Sequence, residues 1–156
     1  MGQDIDASRF TEADFAEFKR RLVAETELLQ RWFDEDRFTD TAKEGGFELE
    51  AWLIDRHMAP APLIDPFLEQ AGDPLIVAEL ARFNLELNGT PLPLRGDALS
   101  RLHRELERTL DHCQQAAAKL EARVGTIGIL PTVRPEHLVL AQMTPRERYR
   151  ALNEQV

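Results

Sequence analysis

Three glutamates carry most of the chemistry available to this 156-residue sequence. Glu48 and Glu50 lie two apart in GFELEAWLID, residues 46–55, which alternates too strictly for a helix. Successive side chains of a strand point to opposite faces, so both carboxylates project from one side, about 6–7 Å apart along the backbone. Trp52 and Ile54 continue that side, and Phe47, Leu49, Ala51 and Leu53 form the other. Two neighbouring carboxylates repel unless one is protonated or a cation lies between them. Hard divalent ions such as Mg²⁺ favour carboxylate oxygen, and a strand is a rigid mount for it. The third glutamate, Glu86, belongs to RFNLELNG, residues 82–89, flanked on its polar side by Asn84 and Asn88. If the two strands share a sheet and their polar sides coincide, three carboxylates meet two amides. Such a cluster suits one or two Mg²⁺ ions and the phosphates they bridge. The plain alternative is a pair of strands whose polar faces meet water.

Other reactive side chains offer less. His57 sits in a loop and His137 in a polar stretch. His103 and His112 are nine apart on one helix, half a turn out of phase, so they make no metal pair. Cys113 falls on an apolar stripe and reads as a core thiol. No P-loop, GxGxxG, GxSxG or HExxH motif occurs, so any ATP site is not of the Walker type.

The elements that must hold these residues follow from periodicity. Thr11 with Asp14 three residues on is a capping-box start, and Phe15, Phe18, Leu22, Leu29 and Phe33 then form one stripe of an amphipathic helix over 12–33. Residues 34–45 are polar and turn-like. After the first strand, RHMAPAPL at 56–63 closes a turn, and Asp65–Pro66 opens a short helix that stops near Gly72. The apolar run 75–80 is either part of the second strand or a short helix, and 91–96 is a proline-punctuated connector. Leu99, Leu102, Leu106, Leu110, Cys113, Ala117 and Leu120 mark a long helix over 98–123 behind Asp97. Residues 124–131 read as a buried strand. Thr144–Pro145–Arg146–Glu147 is a capping box, so a last helix is expected from about 145 with Tyr149, Leu152 and Val156 on its apolar side. Alternation of helices and strands favours a parallel sheet. The short proline-rich link between the first two strands instead suits antiparallel neighbours. The expected class is therefore α+β, an antiparallel sheet with helices packed on one face.

Composition narrows the partners. The 28 acidic residues against 19 basic ones leave a formal charge of −9, which repels phosphate backbones and argues against nucleic acid. One cysteine excludes a disulfide framework and a CxxC metal site. MGQDIDASRF lacks the apolar run of a signal peptide, and Asp6 breaks the myristoylation pattern. No stretch approaches the roughly 18 apolar residues of a membrane helix. A reducing cytoplasm, with no membrane partner, is the expected location.

Four segments in order resemble the glutamate–cysteine ligases. GFELEAWLID resembles that family's first catalytic strand, where a glycine and two alternating glutamates open the site, and RFNLELNG resembles its second. GILPT, residues 128–132, looks like the strand after the long helix, and MTPRERYRALNEQV resembles the Arg-Tyr helix that follows. The resemblance implies a glutamine-synthetase-like fold with an antiparallel sheet curved around the site. It implies ATP-dependent joining of the glutamate γ-carboxyl to the cysteine amine through γ-glutamyl phosphate, with Mg²⁺ or Mn²⁺ as cofactor. By position, Glu48, Glu50 and Glu86 match the metal-binding glutamates. Asn84 and Asn88 beside them, with Arg148 and Tyr149 of the Arg-Tyr pair, are the candidate substrate contacts, the last two for positioning or packing. Family members are far longer, so residues 1–156 are expected to be the N-terminal part of one catalytic domain, inactive alone and partnered by the remainder of the ligase chain. Two other readings stand beside this one: a carboxylate–amine ligase with a different amine, and a non-catalytic helical interaction module.

Overall fold

A computed structural model of the chain describes residues 4–7, 9–38 and 40–155. The alternation that begins at Glu48 forms strand β2, Glu48–Ile54, and the second alternating segment forms β4, Asn84–Asn88. They are antiparallel neighbours, although a helix and a further strand lie between them in the chain. A four-stranded sheet has the order β3-β4-β2-β6, with β3 at Ile76–Ala78, β6 at Arg123–Gly125 and every pairing antiparallel.

One face of this sheet is the core. Ala51, Leu53, Ile76, Ala78, Leu85, Leu87 and Val124 are buried on it, with Ile64, Phe67 and Ala71 of helix α2, Ile64–Ala71, and Cys113, Ala116 and Ala117 of helix α3, Ala98–Ala118. Each large apolar side chain removed from water contributes about 1.5–3 kcal/mol, so this face alone specifies which way the strands must turn. Helices α2 and α3 pack on this one face of the sheet. The expected α+β arrangement is present.

Local departures have local causes. Residues 76–78 form a separate strand, neither a continuation of β4 nor a helix. Asp73 starts it by accepting from the Leu75 N–H. Helix α2 begins two residues earlier than an Asp65 cap with Pro66 as first helical residue suggested, and Asp65 lies in its first turn, 3.6 Å from Arg82. Its end is as expected: Gly72 takes a left-handed φ of 61°. Helix α3 stops at Ala118, five residues before the expected 123, because Ala117 O accepts from both Leu120 and Ala122 and Glu121 turns left-handed at φ 55°. Ala98 is buried in place of the exposed Leu99. Beyond Gly125 the strand does not continue: Ile127 and Ile129 are exposed, in a segment broken by Gly128 and Pro131. The polar segment after residue 34 contains a two-residue strand β1, Glu44–Gly45, paired with β5, Leu92–Pro93, in the supposed connector.

The chain divides into two compact units, Met1–Ala42 with Pro145–Val156, and Lys43–Thr144. The first contains helix α1, Glu12–Asp34, with its capping box formed by Thr11 and Asp14. Phe15, Phe18, Leu22, Leu29 and Phe33 lie exposed on it. Helix α4, Glu147–Gln155, starts two residues later than expected. Thr144 is not its cap: that hydroxyl is buried and donates to the Glu79 carbonyl. Tyr149 is buried, Leu152 is exposed, and Val156 lies outside the described residues.

Candidate functional site

The strand register decides which carboxylates meet. Glu50 stands directly opposite Glu86, Glu48 opposite Asn88, and Trp52 opposite Asn84. Directly opposed residues of antiparallel strands point to the same face, with Cβ atoms about 4.5–5.5 Å apart. Glu48, Glu50, Glu86, Asn84 and Asn88 therefore share the face turned away from α2 and α3. A shared ion requires Glu86 on the side of Glu48 and Glu50, and that is where it lies.

The members differ in exposure. Glu48 and Glu50 are exposed, whereas Glu86 is only 5% accessible. A buried carboxylate needs hydrogen bonds. Asn88 supplies one, its Nδ2 donating to Glu86 Oε1 at 2.9 Å and reaching Leu75 O at 3.3 Å. The amide two residues along the strand thus holds the carboxylate that the ladder sets against Glu50.

A fourth acid joins them. Val77 pairs with Glu86, and Glu79, two residues on, donates its N–H to Asn84 O. Its carboxyl is held above the usual glutamate range, first by burial, then by the charges of Glu86 and Glu50, against one backbone hydrogen bond from Leu80 that lowers it. Sequence reasoning missed Glu79 because the run 75–80 was left undivided. The sequence carried little signal for it: Ile76, Val77 and Ala78 are all apolar, and their alternation of buried and half-buried positions belongs to the structure.

Trp52 borders the same face. Its Nε1 donates to Ile127 O at 2.8 Å and its indole stacks on Phe83 with centroids 5.8 Å apart. Arg148 and Tyr149 lie in the other compact unit and touch each other: Arg148 Nη2 donates to the Tyr149 hydroxyl at 2.7 Å and the guanidinium sits 4.6 Å from the ring centroid. The Arg148 N–H also donates to Asp4.

The remaining reactive groups are committed to structure. A ring nitrogen of His112 bonds the Ala71 carbonyl, and His103 lies 3.5 Å from Glu107. Cys113 is fully buried, and burial, with the Asp73 charge, pushes its thiol up to about 11. That suits a core thiol and not a nucleophile.

Among the described residues, no three His, Cys, Asp or Glu side chains converge closely enough to ligate one ion as they stand. The donor chemistry nevertheless fits a hard divalent cation: carboxylate oxygens on neighbouring strands, beside a Glu79 raised by burial and then by their charges. Glutamate rotamers, and not the backbone, would have to close the set.

Residues 45–156, more than half of the chain, match the family model of glutamate-cysteine ligase family 2 (GCS2). The chain belongs to glutamate-cysteine ligase family 2. Both glutamate strands and the Arg148–Tyr149 helix lie inside the matched region of this family member. No curated protein and no solved structure shows a significant match to it. No helix among its described residues is long and apolar enough to cross a membrane.

Proposed function

We propose that this member of glutamate-cysteine ligase family 2 contributes the metal-binding strands of an ATP-dependent ligase, which joins the γ-carboxyl of glutamate to the amine of cysteine. The sheet would be the first part of a curved, glutamine-synthetase-like barrel, working in the cytoplasm with glutamate, cysteine and ATP as substrates. The observation that carries this reading is the register that sets Glu50 against Glu86 with Glu48 on the same face.

The chemistry proceeds in two displacements. A γ-carboxylate oxygen of glutamate attacks the terminal phosphorus of ATP, forming γ-glutamyl phosphate and releasing ADP. The cysteine amine then attacks the acyl carbon, phosphate leaves, and the amine gives up a proton. Both steps bring anions together, and electrostatic stabilisation dominates catalysis of such transfers. Mg²⁺ or Mn²⁺ held by Glu48, Glu50 and Glu86 would neutralise the phosphates and the incoming carboxylate.

The chain's own residues do the arranging. Glu86 is fixed by Asn88, while Glu48 and Glu50, exposed, are free to adjust their rotamers. Asn84 would offer its amide, and Asn88 its amide oxygen, to a polar substrate on the same face. Arg148 and Tyr149, in contact with each other, would serve as the family's Arg-Tyr pair, for substrate positioning or packing.

The test is Glu48→Gln, Glu50→Gln and Glu86→Gln, made singly in the full-length protein. ADP release that requires both glutamate and cysteine should fall by about 100-fold, the scale of one lost electrostatic contact in a transition state. Unchanged turnover in all three would remove the assignment.

A further inference from the structure

The opposite side of the same unit carries a concentration of positive charge that the ligase reading does not use. Arg101, Arg104 and Arg108 follow one another at i, i+3 and i+7 along α3, so they share one face of the helix. They line a cleft of about 290 Å³ whose far wall is Thr90, Pro91 and Leu92. In a chain of net charge −9, three guanidiniums around one hollow call for an explanation.

The acids nearby do not neutralise them. Glu105 also lines the cleft, but its Oε1 is engaged in accepting from the Thr90 N–H at 3.0 Å. Glu107 faces His103, and Asp97 reaches only Arg104, at 3.5 Å. Arg108 Nε donates to the Arg104 carbonyl. Among the described residues no carboxylate pairs with Arg101 or Arg108.

We propose that this cleft binds an elongated phosphate anion, a di- or triphosphate group, on the helix side of the sheet. Seven residues of α-helix span about 10 Å. One phosphate is too short for arginines so spread, whereas a phosphate chain presents oxygens along that length to planar, bidentate donors. The Glu105–Thr90 bond ties the cleft to the turn two residues beyond β4, the strand that carries Glu86, so occupancy would bear on the opposite face through that turn. The chain has two sources to choose from, free inorganic polyphosphate and the phosphates of a nucleotide.

Calorimetric titration of the full-length protein with inorganic tripolyphosphate in magnesium-free buffer tests this. Saturable binding that weakens with added salt is expected. Arg101→Ala/Arg108→Ala should weaken it at least tenfold with the far-UV dichroism unchanged, and the Arg→Lys pair should keep part of it. Glu48→Gln should bind normally, which separates this cleft from the ligase site. Displacement by ATP identifies a nucleotide as the occupant, and failure of ATP to displace identifies free polyphosphate. Absence of binding at millimolar tripolyphosphate, or equal binding by the folded double alanine variant, would overturn the assignment.

Discussion

At the scale of single residues, burial decides which groups can react. Glu86, nearly inaccessible and bonded to Asn88, is held in place, while Glu48 and Glu50 remain exposed. Glu79 bears the cost of its burial and, after that, of the charges of Glu86 and Glu50. Its raised pKa means the folded chain binds that proton more tightly than the unfolded one. The resulting penalty is absent below the ordinary glutamate value of 4.5 and grows as pH rises through the folded value. Glu79→Gln should therefore stabilise the protein at neutral pH, by about 0.5 kcal/mol after solvent screening, and should have little effect at pH 4. Denaturant titrations at the two pH values check this; equal effects at both would exclude the electrostatic cause. Cys113 gives an independent check on burial. Its thiol, pushed up to about 11, should resist a thiol reagent at pH 8 until denaturant unfolds the chain. Rapid labelling of the native protein would show that the core is open there.

At the scale of elements, the carboxylate strands were legible in the sequence because both obey a strict period of two over a buried face. The hairpin joining β3 to β4 was not. Its turn, near Ala81 and Arg82, contains no glycine, proline or asparagine. It is held by tertiary bonds, Arg82 N–H to Gln142 O and Thr144 N–H to Leu80 O. The same bonds explain why Thr144 was misread: a Ser/Thr-x-x-Glu pattern promises a cap, but the hydroxyl went to Glu79 O. Long-range partners of this kind leave no local signature. Strand β6 was legible only in its first residues, and its edge is secured from outside the sheet. Gln114 of α3 donates to Val124 O at 2.7 Å and accepts from Val124 N–H at 3.1 Å. Gln114→Ala should leave both backbone groups unpaired and cost about 1–3 kcal/mol in a thermal melt. A cost below a few tenths would mean that water replaces the side chain without loss.

At the scale of the whole molecule, residues 43–144 separate charge by face. Glu48, Glu50, Glu79 and Glu86 gather on the face of the sheet turned away from α2 and α3, while Arg101, Arg104 and Arg108 lie on the helix that covers the other. The class α+β was expected from the pattern of elements, whereas the shared carboxylate face was expected only on the condition that the two strands pair, which the register supplies. The exposed stripe of α1 was not expected, since an amphipathic period says that one side is apolar and not whether it is covered. The proposed ligase chemistry rests on a divalent ion that the acidic face would attract. Mn²⁺ binding to the full-length protein, followed by the loss of its free electron-paramagnetic signal, measures this without any turnover. Wild type should bind Mn²⁺ and yield it to excess Mg²⁺, and the Glu48→Gln/Glu50→Gln/Glu86→Gln variant, with its dichroism unchanged, should lose that binding by at least tenfold. Identical Mn²⁺ affinity and stoichiometry in the two proteins would contradict a metal site on these strands.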